Sequence, residues 1–141
     1  MAQRSEWISS LKDLDGVRVA VEEPLPPPFS GEALRGLVEQ QVRAAGIRIH
    51  GMGDFPTGDP HLRVTLATAM QGSLIACDVQ LDFVQIVFMR RNPAVTFNRA
   101  QTWKADARLL FTAPGDVATA VRGELERQVT QFIADYRAAN A

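Results

Sequence analysis

The chain has 141 residues, 46% of them hydrophobic and 22% charged, with a net charge of −1. That length fits one domain burying roughly 70% of its unfolded surface, and the charge balance argues against a nucleic-acid binder, which normally carries a basic stripe. No apolar run approaches the ~18 residues of a membrane-spanning helix.

Trp7, Ile8, Leu11 and Leu14 recur at helical spacing, so Ser5 to Leu14 reads as a short amphipathic helix in an amino-terminal segment, residues 1–16, that Asp15-Gly16 ends. Met1-Ala2-Gln3 fits a natural start, or an initiator Met before a mature terminus, since Ala-Gln suits the small-residue end of a cleavage site. A single domain, residues 17–141, follows. Its first strand is Val17, Val19 and Val21 alternating with Arg18, Ala20 and Glu22. Pro24-Leu25-Pro26-Pro27-Pro28 cannot join a central ladder and reads as a stiff connector.

Ser30 is the expected N-cap of a helix through Ala45 whose buried stripe is Leu34, Leu37, Val38, Gln41, Val42 and Ala45, with Gly46 as its stop. Ile47 and Ile49 then predict a second strand. Strand, helix, strand in this order favours a right-handed parallel crossover. After a loop from His50 to His61, Leu62, Val64, Leu66, Thr68 and Met70 make a third strand that turns at Gln71-Gly72-Ser73.

A long β-hairpin, Leu74 to Phe111, supplies the fourth and fifth strands, with Asn92-Pro93 as turn chemistry. A register centred on Pro93 sets Asp78 opposite Arg108, Gln80 opposite Asp106 and Asp82 opposite Lys104. It also sets Cys77, Val79, Leu81 and Phe83 opposite Leu109, Ala107, Ala105 and Trp103 on an apolar face. Cys77, the single cysteine, is then a buried, inert thiol, and neither an intramolecular disulfide nor a thiolate cluster can form. Beyond Phe83 the faces exchange character. Gln85 meets Gln101 and Val87 meets Arg99, while Val84, Ile86 and Phe88 take the formerly polar side.

After Ala113-Pro114-Gly115, the residues Val117, Val121, Leu125, Val129, Phe132, Ile133 and Tyr136 mark a final helix of about five to six turns. The order β-α-β-β-β-β-α predicts an α+β two-layer sandwich, a five-stranded mixed sheet with two helices on one face.

Candidate chemistry is sparse. His50 and His61 flank a loop holding Asp54 and Asp59, but the spacing matches no metal-ligand motif and reads as a surface loop. Gly51-Met52-Gly53 opens no helix and lacks the third Gly and the Lys of a phosphate-cradling loop. Asp78 and Asp82 lie roughly 13 Å apart by strand rise, too far for a carboxylate pair, and read as surface ion-pair partners. No Ser occupies a strand-to-helix elbow, and neither histidine has an identifiable orienting carboxylate. No catalytic, cofactor-binding or metal residue is assigned, no cofactor is expected, and the expectation is a non-enzymatic module.

Three readings fit the exchange of faces. A β-bulge near Phe83 returns Val84, Ile86 and Phe88 to the core; the Trp7 to Leu14 segment covers them from behind the sheet; or the distal hairpin projects and presents Val84, Ile86, Phe88 and Met89, rimmed by Arg90, Arg91 and Arg99, to another chain or a lipid.

Leu34-Arg35-Gly36-Leu37-Val38-Glu39 running into Arg43-Ala44-Ala45-Gly46-Ile47-Arg48-Ile49, the Thr102-Trp103 strand, and Phe132-Ile133-Ala134-Asp135-Tyr136 with Asn140 resemble a group of small secreted bacterial proteins. Their architecture is similar to the amino-terminal domain of TolB and to the lipopolysaccharide-assembly lipoprotein LptE. The resemblance covers Val17 to Asn140 and implies a periplasmic or secreted accessory domain of the bacterial envelope, with the cytoplasm as the alternative. It implies no site residues, and the lipidated amino-terminal Cys of the lipoproteins has no counterpart here. The expected mode of action is contact with a protein partner or with a second copy, without nucleic acid or a transmembrane segment. A small-ligand or lipid-binding module with a cleft between sheet and helices is the alternative, and a hydrolase using a histidine base comes third.

Overall fold

A computed structural model describes residues 2–141. Its elements are α1 (Ala2–Ser9), β1 (Arg18–Val21), α2 (Gly31–Ala44), β2 (His61–Gln71), β3 (Leu74–Met89), β4 (Asn92–Lys104), β5 (Leu109–Thr112) and, after a 3-10 turn at Pro114–Asp116, α3 (Val117–Ala139). The five-stranded sheet runs β1-β2-β3-β4, with β5 pairing β3 alongside β4. β1 and β2 are parallel, and the other pairs are antiparallel. The α+β class and the mixed sheet are as expected, but two strands differ.

Ile47 and Ile49 do not form a strand. Ile49 makes one parallel bridge to Val17, and the parallel partner of β1 is β2. Only three residues separate the helix-ending Gly46 from His50, too few for a ladder. The fifth strand comes instead from the hairpin's return arm, which breaks at Ala105–Arg108 into β4 and β5.

α2 forms where its sequence says. The Ser30 hydroxyl accepts from the Ala33 N–H at 3.3 Å, satisfying one orphan donor of the first turn. Gly46, at φ +83°, closes the other end. Its N–H reaches the Arg43 carbonyl and that of Ile47 reaches Val42, the paired bonds of a Schellman stop, which needs a left-handed residue.

Leu34, Val38 and Val42 of α2 and Val121, Leu125, Val129 and Phe132 of α3 enter one buried cluster with Val17, Leu62, Val64, Val79, Leu81, Phe83 and Trp103 of the sheet. Each such side chain contributes about 1.5–3 kcal/mol by leaving water.

The amino-terminal segment joins that same core and does not cover the back of the sheet. Leu11 is fully buried, with Trp7 and Leu14 packed beside it. The carboxyl end of α3 holds the segment in place: Tyr136 Oη donates to the Leu14 carbonyl at 3.1 Å, and Asn140 Nδ2 donates to that of Leu11 at 3.0 Å. α1 and the turn that follows it also cap the near end of the β4 edge. Arg4 Nη1 donates to the Lys104 carbonyl at 2.7 Å, and Ser10 Oγ to that of Thr102 at 3.0 Å. An open row of strand carbonyls is a template for another chain, and here α1 and that turn occupy it.

Candidate functional site

The hairpin has two halves, and its packing shows where they divide. In the near half, Cys77, Val79, Leu81 and Phe83 alternate inward and are buried. Burial alone pushes the Cys77 thiol above its ordinary pKa, as expected of an inert cysteine. Phe83 opposes Trp103 in the predicted register. Phe132 of α3 meets both rings, stacked on Phe83 at 6.4 Å and edge-on to Trp103 at 5.3 Å. The indole N–H, buried with its ring, donates to Asp135 at 2.9 Å.

The break between β4 and β5 leaves β3 without a ladder partner around Gln80, and α3 supplies one. Gln128, fully buried, accepts the Leu81 N–H through Oε1 at 2.7 Å and donates from Nε2 to the Val79 carbonyl at 2.7 Å. Beside it, Glu124 is buried between Arg127, Gln128 and Arg108. Burial pushes its carboxyl up, but hydrogen bonds from these three and the Arg127 charge outweigh that, and the net shift is downward.

The predicted charged rungs take other partners. Asp82 does oppose Lys104, but its carboxylate is held by Arg63 of β2 through two bonds, at 2.9 and 2.6 Å, and by Gln101 at 2.6 Å. It is 2% exposed, a buried ion pair and not a surface one. The Lys104 ammonium lies over the Trp7 ring at 5.3 Å. Asp78 opposes Leu109 instead of Arg108, because β5 is shifted by one residue after the break. Arg108 turns to Glu124.

From Val84 outward the pairing changes. β3 keeps an unbroken register with β2 as far as His61 opposite Val84, while β4 accommodates extra residues. Val84 opposes Gln101, Gln85 opposes Ala100, and Val87 opposes Phe97. The bulges therefore belong to the return arm. Arg99, in one of them, has φ +57°, and its guanidinium reaches the Glu22 carboxylate at 2.6 Å. The chain reverses at Arg90-Arg91, with Met89 opposite Asn92. Asn92-Pro93 begins β4 instead of forming the turn, and Pro is tolerated on this edge strand because it has no N–H to leave unpaired.

The predicted surface residues thus separate. Val84 is 1% exposed and no part of a surface, whereas Ile86 is 42% and Phe88 64% exposed. Met89 is half-buried, and Arg90 and Arg91 are exposed without an ion pair among the described residues. Arg99 is exposed but tied to Glu22. Val95 and Phe97 on the return arm, exposed by 38% and 48%, add apolar surface on the hairpin's other face, although the residue pattern did not single them out. Their alternation with Thr96 and Asn98 carried that information, obscured by the misplaced turn.

The two histidines do not converge. His50 is buried, with Nε2 3.3 Å from Asp15 and Nδ1 3.8 Å from Asp54, yet neither ring nitrogen has a hydrogen-bond partner. It is thus not a residue of an open surface loop. The Gly51 N–H, at 2.8 Å, is the main cause of a lowered Asp54 pKa; burial opposes it, and the charges on Arg48, His50 and Arg18 add to it. His61 Nδ1 lies 2.8 Å from the Asp59 carbonyl oxygen. Among the described residues, no three His, Cys, Asp or Glu side chains converge to hold a metal ion. The small concavity at His50 is lined by Asp15, Arg48, Asp54, Phe55 and Pro56, with no hydroxyl or thiol among them.

No protein-family model matches the chain, and no curated protein matches it. Among solved structures it is similar to a dodecameric PelC from Paraburkholderia phytofirmans, at 12% identity and a TM-score of 0.49, over 84% of this chain and 88% of that one. It is also similar to a minor lipoprotein from Acinetobacter baumannii, at 12% identity and a TM-score of 0.43, over 90% and 93% of the two chains. Likenesses of this size assign no activity, site residue or partner.

Proposed function

We propose that the protein is a non-enzymatic accessory module of the bacterial cell envelope, in the periplasm or outside the cell, that works by docking through its distal hairpin. The observation that supports this most is the contrast within β3: Phe83 is fully buried while Ile86 and Phe88 are largely exposed on the same strand. An apolar side chain that neither fills the core nor lies scattered among polar neighbours marks a contact surface. The envelope assignment, including the finer likeness to TolB and LptE, is supported by the sequence resemblance running from Leu34 to Ile49 and from Phe132 to Tyr136.

Phe88→Asp tests the reading. It is expected to leave the melting temperature within about 2 °C of wild type, as a surface substitution does, while abolishing retention by a bacterial envelope fraction. A variant that unfolds would make Phe88 a core residue and end the proposal.

A further inference from the structure

Resting on the docking reading, we infer that the distal hairpin engages a membrane surface carrying anionic headgroups. The charge pattern points there. Residues 83–104 contain Arg90, Arg91, Arg99 and Lys104 and no Asp or Glu, in a chain whose net charge is −1. The rest of the molecule is net acidic, so the apolar patch coincides with the longest stretch free of acidic residues. Arg99 is neutralised by Glu22, and Lys104 lies against Trp7. Arg90 and Arg91 remain at the turn without an ion pair among the described residues, flanked by Phe88 and Met89.

This charge disfavours a second copy as the occupant. Two hairpins meeting at their tips would set Arg90 and Arg91 against the same residues of the partner. An acidic phosphate layer reverses that sign, and each arginine near such a surface strengthens binding several-fold.

The placement of the apolar side chains separates a lipid surface from a protein groove. Ile86 and Phe88 project to one side of the ribbon. Phe97, opposite Val87, projects to the other. A groove contacts one face of a docked ribbon, whereas an interfacial layer surrounds both. From Val84 to the turn, the arm extends about 17 Å by strand rise, more than the roughly 5–10 Å depth at which interfacial segments bury their apolar side chains. No helix among the described residues is long and apolar enough to cross a membrane.

Co-sedimentation of the full chain with vesicles of phosphatidylcholine, alone or with about 30% phosphatidylglycerol, tests the inference. Wild type is expected to bind the anionic vesicles at least tenfold more tightly, with affinity falling as salt rises. Arg90→Glu with Arg91→Glu should lose at least tenfold. The same charge change at Arg35 and Arg122, exposed on α2 and α3, should stay within about twofold. Binding to neither vesicle, equal binding to both, or an equal loss in the helix variant overturns the membrane inference. If the vesicles are ignored while Phe88→Asp still abolishes capture of an envelope protein, the docking reading stands with a protein occupant. If Phe88→Asp unfolds, both fall.

Discussion

Gln128→Leu tests the most unusual join in the fold. The wild-type amide makes two 2.7 Å bonds to the β3 backbone at residues that are wholly buried. Leucine fills a similar volume but leaves the Leu81 N–H and the Val79 carbonyl without partners, because the break between β4 and β5 brings no strand backbone to that point. An unsatisfied buried polar group costs about 1–3 kcal/mol, and the added apolar burial offsets roughly 1 kcal/mol. With two such groups the net loss is about 1–5 kcal/mol. For a chain of this length it corresponds to a fall in melting temperature of about 3–17 °C. Urea unfolding gives the free energy, and amide exchange at Leu81 gives the cause. The exchange should accelerate more in the variant than at Leu62 or Val64, whose strand β2 is paired on both sides. A loss under about 1 kcal/mol with an unchanged Leu81 amide would show that Gln128 does not carry these bonds.

Two further substitutions probe the buried charges. Arg63→Met leaves the Asp82 carboxylate buried with only Gln101 as donor. It should destabilise by about 2–4 kcal/mol at neutral pH, somewhat below the usual cost of a broken buried pair because the Arg63 side chain is a quarter exposed; thermal unfolding measures this. Glu124→Gln should flatten the acid limb of the stability curve. The folded pKa of Glu124 lies below its ordinary 4.5, so its contribution is present above that value and is lost as pH falls through the folded pKa. Denaturant midpoints between about pH 5 and pH 3 should decline less steeply in the variant than in wild type. An equal slope would mean that the carboxylate is not held by Arg127, Gln128 and Arg108.

Local rules made much of this fold legible in the sequence. Ser30 and Gly46 bracket α2 because capping and left-handed geometry depend on a few neighbouring residues. The apolar stripe of α3 and the Phe83–Trp103 rung follow from periodicities of 3.6 and 2. What could not be read depends on tertiary neighbours. Asp82 faces Lys104 in sequence register, but Arg63 on the opposite strand offers a planar, two-point match to a carboxylate that lysine cannot. Gln128 sits in the α3 pattern as one polar residue among apolar ones. Its role depends on a break in the return arm that no local signal announced. The candidate surface was half legible: Ile86 and Phe88 stood out because apolar residues replaced polar ones on one strand face. Val95 and Phe97 were hidden because Asn92-Pro93 looked like the turn, and the bulges at Arg99 and Thr102 disrupted the alternation of β4.

Hydrogen–deuterium exchange on the wild-type chain, with and without a bacterial envelope fraction, tests the central claim most directly. New protection is expected only at residues 84–99, with the already slow amides of Cys77 to Phe83 unchanged. Protection appearing instead on the groove between α2 and α3, around Gln41 and Thr130, with the hairpin exchanging as before, would contradict it.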